Sequence, residues 1–222
     1  VPALILPTAP GRPGPTGWPA GSHAINRPPQ LATDTARVDD AVRHAMGQYE
    51  RAAGEPVDAV VILYGNIPLR GDGAIDLCIE LLEQSGCDSV RTVAPVGKMH
   101  PDWMHRLDGD RLVQFRPNSI HRRQELEPLY YHDGGVIVIH RRSLVEADGS
   151  SDPHAFLGTD RRAVVLDELD TVDVDGLADF YRAEDFQRLR NETAFLDPGP
   201  SGARPRPAFT AAVSHGSAYD RR

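Results

Sequence analysis

Two aspartates separated by one residue, Asp173 and Asp175, have the clearest potential for chemistry in this sequence. On a short strand they would point to the same face, about 6 to 7 Å apart. Like charges so close are costly unless a cation lies between them, and Mg²⁺ prefers such carboxylates together with substrate phosphates. The spacing therefore indicates a magnesium site or, because Asp167, Glu168 and Asp170 lie just upstream, an acidic surface loop.

A second candidate site combines adjacent arginines with amide and aromatic side chains. Arg122, Arg123 and Gln124 precede Tyr130 and Tyr131 in the chain. The planar guanidinium group of arginine binds a carboxylate through two parallel hydrogen bonds, so this group favours a carboxylated and hydroxylated ligand. A solvated basic turn is the alternative that the pattern leaves open.

A third candidate site is the polar loop Tyr64–Arg70, which directly follows the apolar run Asp58–Tyr64. Gly65 would let the backbone approach a ligand, and Arg70 would address a phosphate or a carboxylate. The alternative is an ordinary loop between a strand and a helix, in which Arg70 donates to a backbone carbonyl.

Other kinds of active site find no support in the sequence. It contains no H-E-x-x-H, G-x-S-x-G or G-x-x-x-x-G-K-[ST] motif. The formal charge of −8, from 24 Lys and Arg against 32 Asp and Glu, argues against non-specific nucleic-acid binding. No apolar run is long enough to span a membrane. Cys78 and Cys87 are too few for a disulfide framework and indicate buried thiols in a reducing compartment, by default the cytoplasm.

The elements that must position these residues alternate between helix and strand. Periodicity predicts helices over 39–52, 74–84 and 177–190, and strands over 58–64, 89–96, 134–140 and 163–166. The continuous apolar run of the first strand is typical of a central parallel strand, covered on both faces. The strand–helix–strand succession predicts an α/β sheet with right-handed crossovers. In doubly wound sheets ligands bind outside the carboxyl ends of the strands, where the Tyr64 loop lies.

Composition divides the chain into three parts. Residues 1–26 are rich in proline and glycine, which predicts an extended or disordered segment. Residues 27–192 carry the periodic patterns of one α/β domain, and residues 193–222 are predicted to form a flexible tail. Within the domain, Trp103–Phe115 is predicted as an excursion of two short strands joined by Asp108-Gly109-Asp110.

Six segments of the predicted domain follow one another in an order that is typical of a known enzyme family. They are Arg27–Ala36 (R-P-P-Q-L-A-T-D-T-A), Asp58–Arg70, Ser85–Val90 (S-G-C-D-S-V), Pro101–Met104 (P-D-W-M), Arg122–Tyr130 (R-R-Q-E-L-E-P-L-Y) and Thr171–Glu184. In sequence and order these segments resemble motifs of the acylneuraminate cytidylyltransferases, the CMP-sialic acid synthetases. The resemblance covers about Arg27 to Arg190.

The resemblance implies a Rossmann-like, three-layer fold of the nucleotide-diphospho-sugar transferase type. It also implies a homodimer, with the excursion around Trp103 at the contact. The implied activity couples CTP to a nonulosonic, sialic-acid-like sugar acid and releases pyrophosphate with the help of Mg²⁺. Such a transfer mainly needs cations positioned around an in-line displacement.

The resemblance also assigns roles to individual residues. Asp173 and Asp175 would bind the metal, and Asp175 would help to deprotonate the sugar hydroxyl. Arg123 would act in catalysis and in substrate binding. The other substrate-binding residues would be Gln124, Tyr130 and Tyr64, and the nucleotide-binding residues would be Thr33 and Arg70.

Two departures from the family pattern keep other functions open. The family's Gly-rich nucleotide loop has no counterpart in the Pro-rich Val1–His23, so we expect a domain that is incomplete or replaced at its amino end. Tyr64-Gly65-Asn66-Ile67 stands where the family has Q-P-T-S. The alternatives are a non-catalytic relative that binds a sugar acid or a partner, and a cytidylyltransferase for another keto-sugar acid.

Overall fold

The computed structural model describes residues 5–8, 23–167 and 170–196 of the chain. In chain order its strands are β1 (Ile5–Thr8), β2 (His23–Asn26), β3 (Ala59–Ile62), β4 (Ser89–Pro95), β5 (His105–Asp108), β6 (Arg111–Gln114), β7 (Tyr130–His140) and β8 (Arg161–Val165). The α-helices are α1 (Val38–Ala53), α2 (Ala74–Ser85), α3 (Arg141–Glu146) and α4 (Leu177–Leu196).

The central sheet has four strands in the order β3-β7-β4-β8. β7 runs antiparallel to both β3 and β4, whereas β8 runs parallel to β4. The prediction that β3 is a central parallel strand is wrong for the described residues, since β3 pairs only with β7 and lies at the sheet edge. Its apolar run has another cause, which is that helices cover both of its faces.

Helices lie on both faces of the sheet and produce three layers. Val136 and Val138 of β7 pack in the core beneath α2, whereas Ile137 and Ile139 pack in a second core with Met46 of α1 and with α3. The alternation follows from the strand period of two, which sends neighbouring side chains to opposite faces. The predicted α/β class and its three-layer arrangement are confirmed.

Most predicted elements occur close to their expected bounds. The helix predicted over 74–84 is α2, and the left-handed Gly86 ends it at φ 64°. The strand predicted over 134–140 is longer, because β7 begins at Tyr130 and bends within Asp133–Val136. The last helix also continues beyond its predicted end at 190, to Leu196. Both cysteines are buried thiols, and burial raises the pKa of Cys78 to about 12.

Two further strand pairs lie outside the central sheet. β5 and β6 form an antiparallel hairpin that turns at Gly109, as the sequence predicts for the excursion. β1 and β2 form a parallel pair, so the segment predicted over 1–26 contains two strands. The remainder of that segment and residues 197–222 of the predicted tail lie outside the described residues. In the described part of the chain, no helix is long and apolar enough to cross a membrane.

Two carboxylates, Asp39 and Asp88, are paired within the fold, Asp39 with nearby arginines and Asp88 with residues distant in the chain. Asp39 is 2% exposed and accepts hydrogen bonds from Arg37 and Arg43. Asp88 accepts from the backbone amides of Thr159 and Asp160 at 2.9 and 3.0 Å. These two amides, and then the Arg142 guanidinium, lower the pKa of Asp88 to about 2. Both aspartates therefore use their charge to hold the fold together.

Candidate functional site

Several of the candidate site residues lie at one end of the central sheet. Because β7 is antiparallel to its neighbours, its amino end, at Tyr130, lies beside the carboxyl end of β4, at Pro95. Tyr64 follows β3 at the same end, and the segment that contains Asp173 follows β8 there. Tyr64 and Asp173 thus follow the carboxyl ends of β3 and β8, whereas Tyr130 lies at the amino end of β7. That a ligand binds at this end of the sheet stays a prediction.

The Tyr64 loop pairs directly with the segment that carries the two aspartates. Leu69 forms an antiparallel bridge with Val172, and the amide of Val174 donates to the carbonyl of Asn66 at 2.9 Å. This pairing makes the 171–175 segment locally extended, so that Asp173 and Asp175 project to the same side, as their spacing predicts.

The Asn66 side chain lies between the two carboxylates. Its Nδ2 donates to Oδ1 of Asp173 at 2.5 Å and is 3.4 Å from Oδ1 of Asp175. Both aspartates are exposed, and in the described residues no cluster of three or more His, Cys, Asp or Glu side chains could hold a metal. Two carboxylates and an amide suit Mg²⁺, which usually takes one or two carboxylates from the protein and completes its shell with phosphate and water.

The start of α4 fixes the backbone on the other side of Asp175. Oδ2 of Asp179 accepts from the amides of Asp175 and Gly176 at 3.3 and 3.0 Å. This is the bonding of a carboxylate near a helix amino terminus, where unpaired amides need acceptors. The Asp175 backbone is thus held from both directions, while its carboxylate stays exposed.

A groove of about 690 Å³ opens next to the carboxylate pair, between the Tyr64 loop and α4. Asn66 and Val174 line one wall, and Phe180, Gln187 and Arg188 line the other. Its volume is within the range of small-molecule sites, and its lining mixes an aromatic ring with polar groups. A ligand in this groove would lie beside Asn66.

Asp133 is a buried carboxylate that connects the candidate site to the central sheet through hydrogen bonds. The sequence alone did not indicate it. It accepts from the hydroxyl of Thr92 at 2.5 Å, the amide of Gly135 at 2.9 Å and the hydroxyl of Thr171 at 3.1 Å. Thr171 opens the segment that carries Asp173, so Asp133 positions that segment on β4 and β7. β7 bends at this point, and the sequence signal for the bend is Gly134, whose φ is +72°.

Arg70 makes the contacts expected of an ordinary loop arginine, since it donates to backbone carbonyls. Its guanidinium donates to the carbonyl of Gly135 at 2.8 Å and to the carbonyl of Tyr64 at 2.5 Å. Burial lowers its pKa. Arg70 thereby holds the Tyr64 loop in place, and its predicted nucleotide contact stays a prediction.

Arg123 and Gln124 lie in an exposed 3-10 turn, Arg123–Glu125. Neither side chain has a hydrogen-bond partner among the described residues, and a Cβ at Gly97 would be 4.0 Å from the Arg123 guanidinium. Tyr130 is 45% exposed and pairs with Pro95. These three side chains are therefore available to a ligand.

Thr33 is placed apart from this group. It lies in an exposed turn before α1, with its hydroxyl 3.4 Å from that of Thr35. In the described part of the chain, no hydrogen bond joins Thr33 to the residues at the end of the sheet. Its predicted nucleotide contact remains untested.

Comparison with known proteins gives one informative similarity. No family model matches the chain. N-acylneuraminate cytidylyltransferases from serotype V and serotype III strains of Streptococcus agalactiae are 27% identical to it over 125 residues, which is 55% of this chain. The matched region spans only 29% of the length of those relatives.

The comparison with solved structures adds little. A nucleoside-diphosphate-sugar pyrophosphorylase from Vibrio cholerae RC9 is 9% identical, with 75% of this chain and 68% of that chain covered. Its TM-score of 0.39 is too low to carry a functional argument.

Proposed function

We propose that this chain acts in nucleotidyl transfer, coupling CTP to a nonulosonic, sialic-acid-like sugar acid to give the CMP-sugar and pyrophosphate. The observation that carries the proposal is the exposed pair Asp173 and Asp175, joined through Asn66 at the end of the sheet where Tyr64 and Tyr130 also lie. The similarity to N-acylneuraminate cytidylyltransferases supports the reaction class.

In this proposal Asp173 and Asp175 hold Mg²⁺, which when bound would neutralise the charge of the nucleotide phosphates. Asp175 accepts the proton of the attacking sugar hydroxyl, a task that suits an exposed carboxylate within hydrogen-bond reach. Asn66 contacts only Oδ1 of each carboxylate, so the second oxygen of each can still accept a cation.

The sugar acid would be bound by the exposed residues at the start of β7 and in the turn before it. Arg123 pairs with its carboxylate, and Gln124 and Tyr130 donate to its hydroxyl groups. Tyr64 takes part through its ring and hydroxyl. Thr33 and Arg70 would contact the nucleotide, Arg70 also acting through the Tyr64 carbonyl that it holds.

The proposed working form is a homodimer in the cytoplasm. The β5–β6 hairpin presents large apolar side chains to solvent, with Leu107 73% and Leu112 67% exposed. Burying such a surface against a second copy would be favourable. The two free thiols fit a reducing compartment.

A second candidate is a non-catalytic relative that binds a sugar acid or a partner. The Asn66 amide favours it, since this donor contacts both carboxylates itself. A cytidylyltransferase for a different keto-sugar acid is the third candidate, supported by the Tyr64-Gly65-Asn66 sequence in the loop.

Pyrophosphate release separates these candidates. The chain is incubated with CTP, Mg²⁺ and a panel of nonulosonic and shorter keto-sugar acids. We expect turnover with one of the nonulosonic acids, at least 100-fold slower in Asp175→Asn and unchanged in Asp76→Asn, an exposed aspartate on α2. Saturable sugar-acid binding without turnover would favour the non-catalytic relative.

A further inference from the structure

Arg91 on β4 is a partly buried arginine that forms no ion pair with a carboxylate among the described residues. Its Nη1 lies 3.0 Å from Nε2 of His132, and among the described residues no other hydrogen bond or ion pair reaches its guanidinium. By contrast, Arg43 and Arg141 bond Asp39 and Glu50 at 2.7 Å. A guanidinium has five N–H donors, so most of those of Arg91 are unused.

Other cationic and imidazole groups lie on the same face of the sheet. Arg91 pairs with Ala163 of β8, and Arg161 is two residues away on that strand, so both arginines point to one face. Arg161 donates to the carbonyls of Gly158 and His154 at 2.7 and 3.2 Å, contacts that leave its charge unbalanced. His132 is acted on electrostatically by Arg91, His154 and Arg161. The cluster formed by these four residues is therefore an oxyanion-attracting surface.

Asp133, the carboxylate that acts on Arg91 and His132, is already engaged in other hydrogen bonds. Asp133 acts electrostatically on Arg91 and His132, but three hydrogen bonds from Thr92, Gly135 and Thr171 engage its oxygens. Burial, and after it the positive charge of Arg91, lowers the pKa of His132. The ring is thus kept neutral, with Nε2 placed to accept from Arg91.

The cluster adjoins the candidate site through Tyr64. The Tyr64 ring lies 3.8 Å from the position that a Cβ on Gly134 would take, two residues from His132. Tyr64 also interacts electrostatically with Arg91. A ligand that contacts Tyr64 can therefore extend a charged group toward Arg91.

We propose that Arg91 and His132 bind an oxyanion, a carboxylate or phosphate group, of the ligand that enters beside Tyr64. The planar guanidinium takes the oxyanion through paired donors, and the imidazole joins it as a second donor once protonated. The identity of the ligand rests on the proposed function, whereas the affinity of the cluster for an oxyanion does not.

Two probes distinguish the source of the oxyanion, namely pyrophosphate for the phosphate and N-acetylneuraminate for the carboxylate. Each is titrated into the full chain while the ring signals of His132 are followed by NMR. We expect saturable shifts and a rise in the pKa of His132, because a bound anion favours the protonated ring.

The variants are Arg91→Gln and Arg91→Lys, with Arg162→Gln as the control. Arg162 neighbours Arg161 on β8 but points to the opposite face, where it pairs with Asp160 at 2.7 Å. We expect the dissociation constant to rise about tenfold to a hundredfold in Arg91→Gln, less in Arg91→Lys, and not in the control. Weakening for one probe alone assigns the oxyanion to that source.

Equal affinity in the wild type and both Arg91 variants, or no shift of His132 with either probe, would overturn the proposal. The pyrophosphate-release assay is run in parallel. Arg91-dependent binding without turnover would contradict the proposed function and support the oxyanion site. Turnover that Arg91→Gln does not change would support the proposed function and contradict the oxyanion site.

Discussion

Asp88 and Asp175 are the same residue type in opposite surroundings. Asp88 accepts from two backbone amides and from Arg142, so the chain itself balances its charge. Asp175 and its neighbour Asp173 share one amide donor, Asn66, and both carboxylates face solvent. A carboxylate whose oxygens are all hydrogen-bonded within the fold stabilises the structure. A carboxylate with unused lone pairs can bind a cation or accept a proton. Substitutions at the two places should therefore have opposite effects on stability and activity.

The largest loss of stability is expected at Gly158, which packs against Asp88. Its φ is +69°, and a Cβ there would lie 2.2 Å from Cβ of Asp88. Gly158→Ala should lower the free energy of unfolding by about 3 kcal/mol or more, from backbone strain together with the overlap. Urea denaturation measures the change. Gly149→Ala is the matched control, because its φ of +73° is similar but no atom lies within 4 Å. Equal losses in both variants would show that the Asp88 contact is not tight.

A smaller loss is expected when Asp88 itself is changed. Its pKa is lowered to about 2 in the folded chain, so its charge stabilises the fold fully above the unfolded pKa of about 4. That contribution, about 2 kcal/mol, is lost as the pH falls from about 5 toward 2. Unfolding measured across this range should show a shallower acid dependence in Asp88→Asn than in the wild type. Identical pH profiles would contradict the pairing.

A still smaller effect is expected for the hydrogen bond between Thr171 and Asp133. Thr171→Val keeps the shape of the side chain but removes a donor from a buried carboxylate. We expect a loss of about 1 to 2 kcal/mol in the free energy of unfolding. Because Thr171 positions the segment with Asp173, Mg²⁺ affinity should fall as well. Unchanged metal affinity would restrict the role of Asp133 to the sheet.

The contrast between the two regions also explains how far the sequence could be interpreted. The i, i+2 spacing of Asp173 and Asp175 is local, so their common face was predictable. The pairing of Asp88 with the amides of Thr159 and Asp160 crosses about 70 residues and has no local signature.

The same reasoning applies to the position of β3 and to Arg91. An apolar run shows that both faces of a strand are covered, but it does not show which strands lie beside it. A single arginine in an apolar strand forms no sequence motif, so the sequence does not mark Arg91 as a binding residue. Its contact with His132 depends on the bend of β7 at Asp133–Val136.

The smallest change in stability, and the largest in function, is expected for Asp175→Asn. The free energy of unfolding without metal should stay within about 0.5 kcal/mol of the wild type, because the side chain is exposed and the substitution relieves like-charge repulsion with Asp173. Thermal unfolding with CTP present, with and without Mg²⁺, provides the test. We predict that Mg²⁺ raises the melting temperature of the wild type and of the control Asp76→Asn but not that of Asp175→Asn. An equal rise in wild type and Asp175→Asn would contradict the assignment of the metal to this pair.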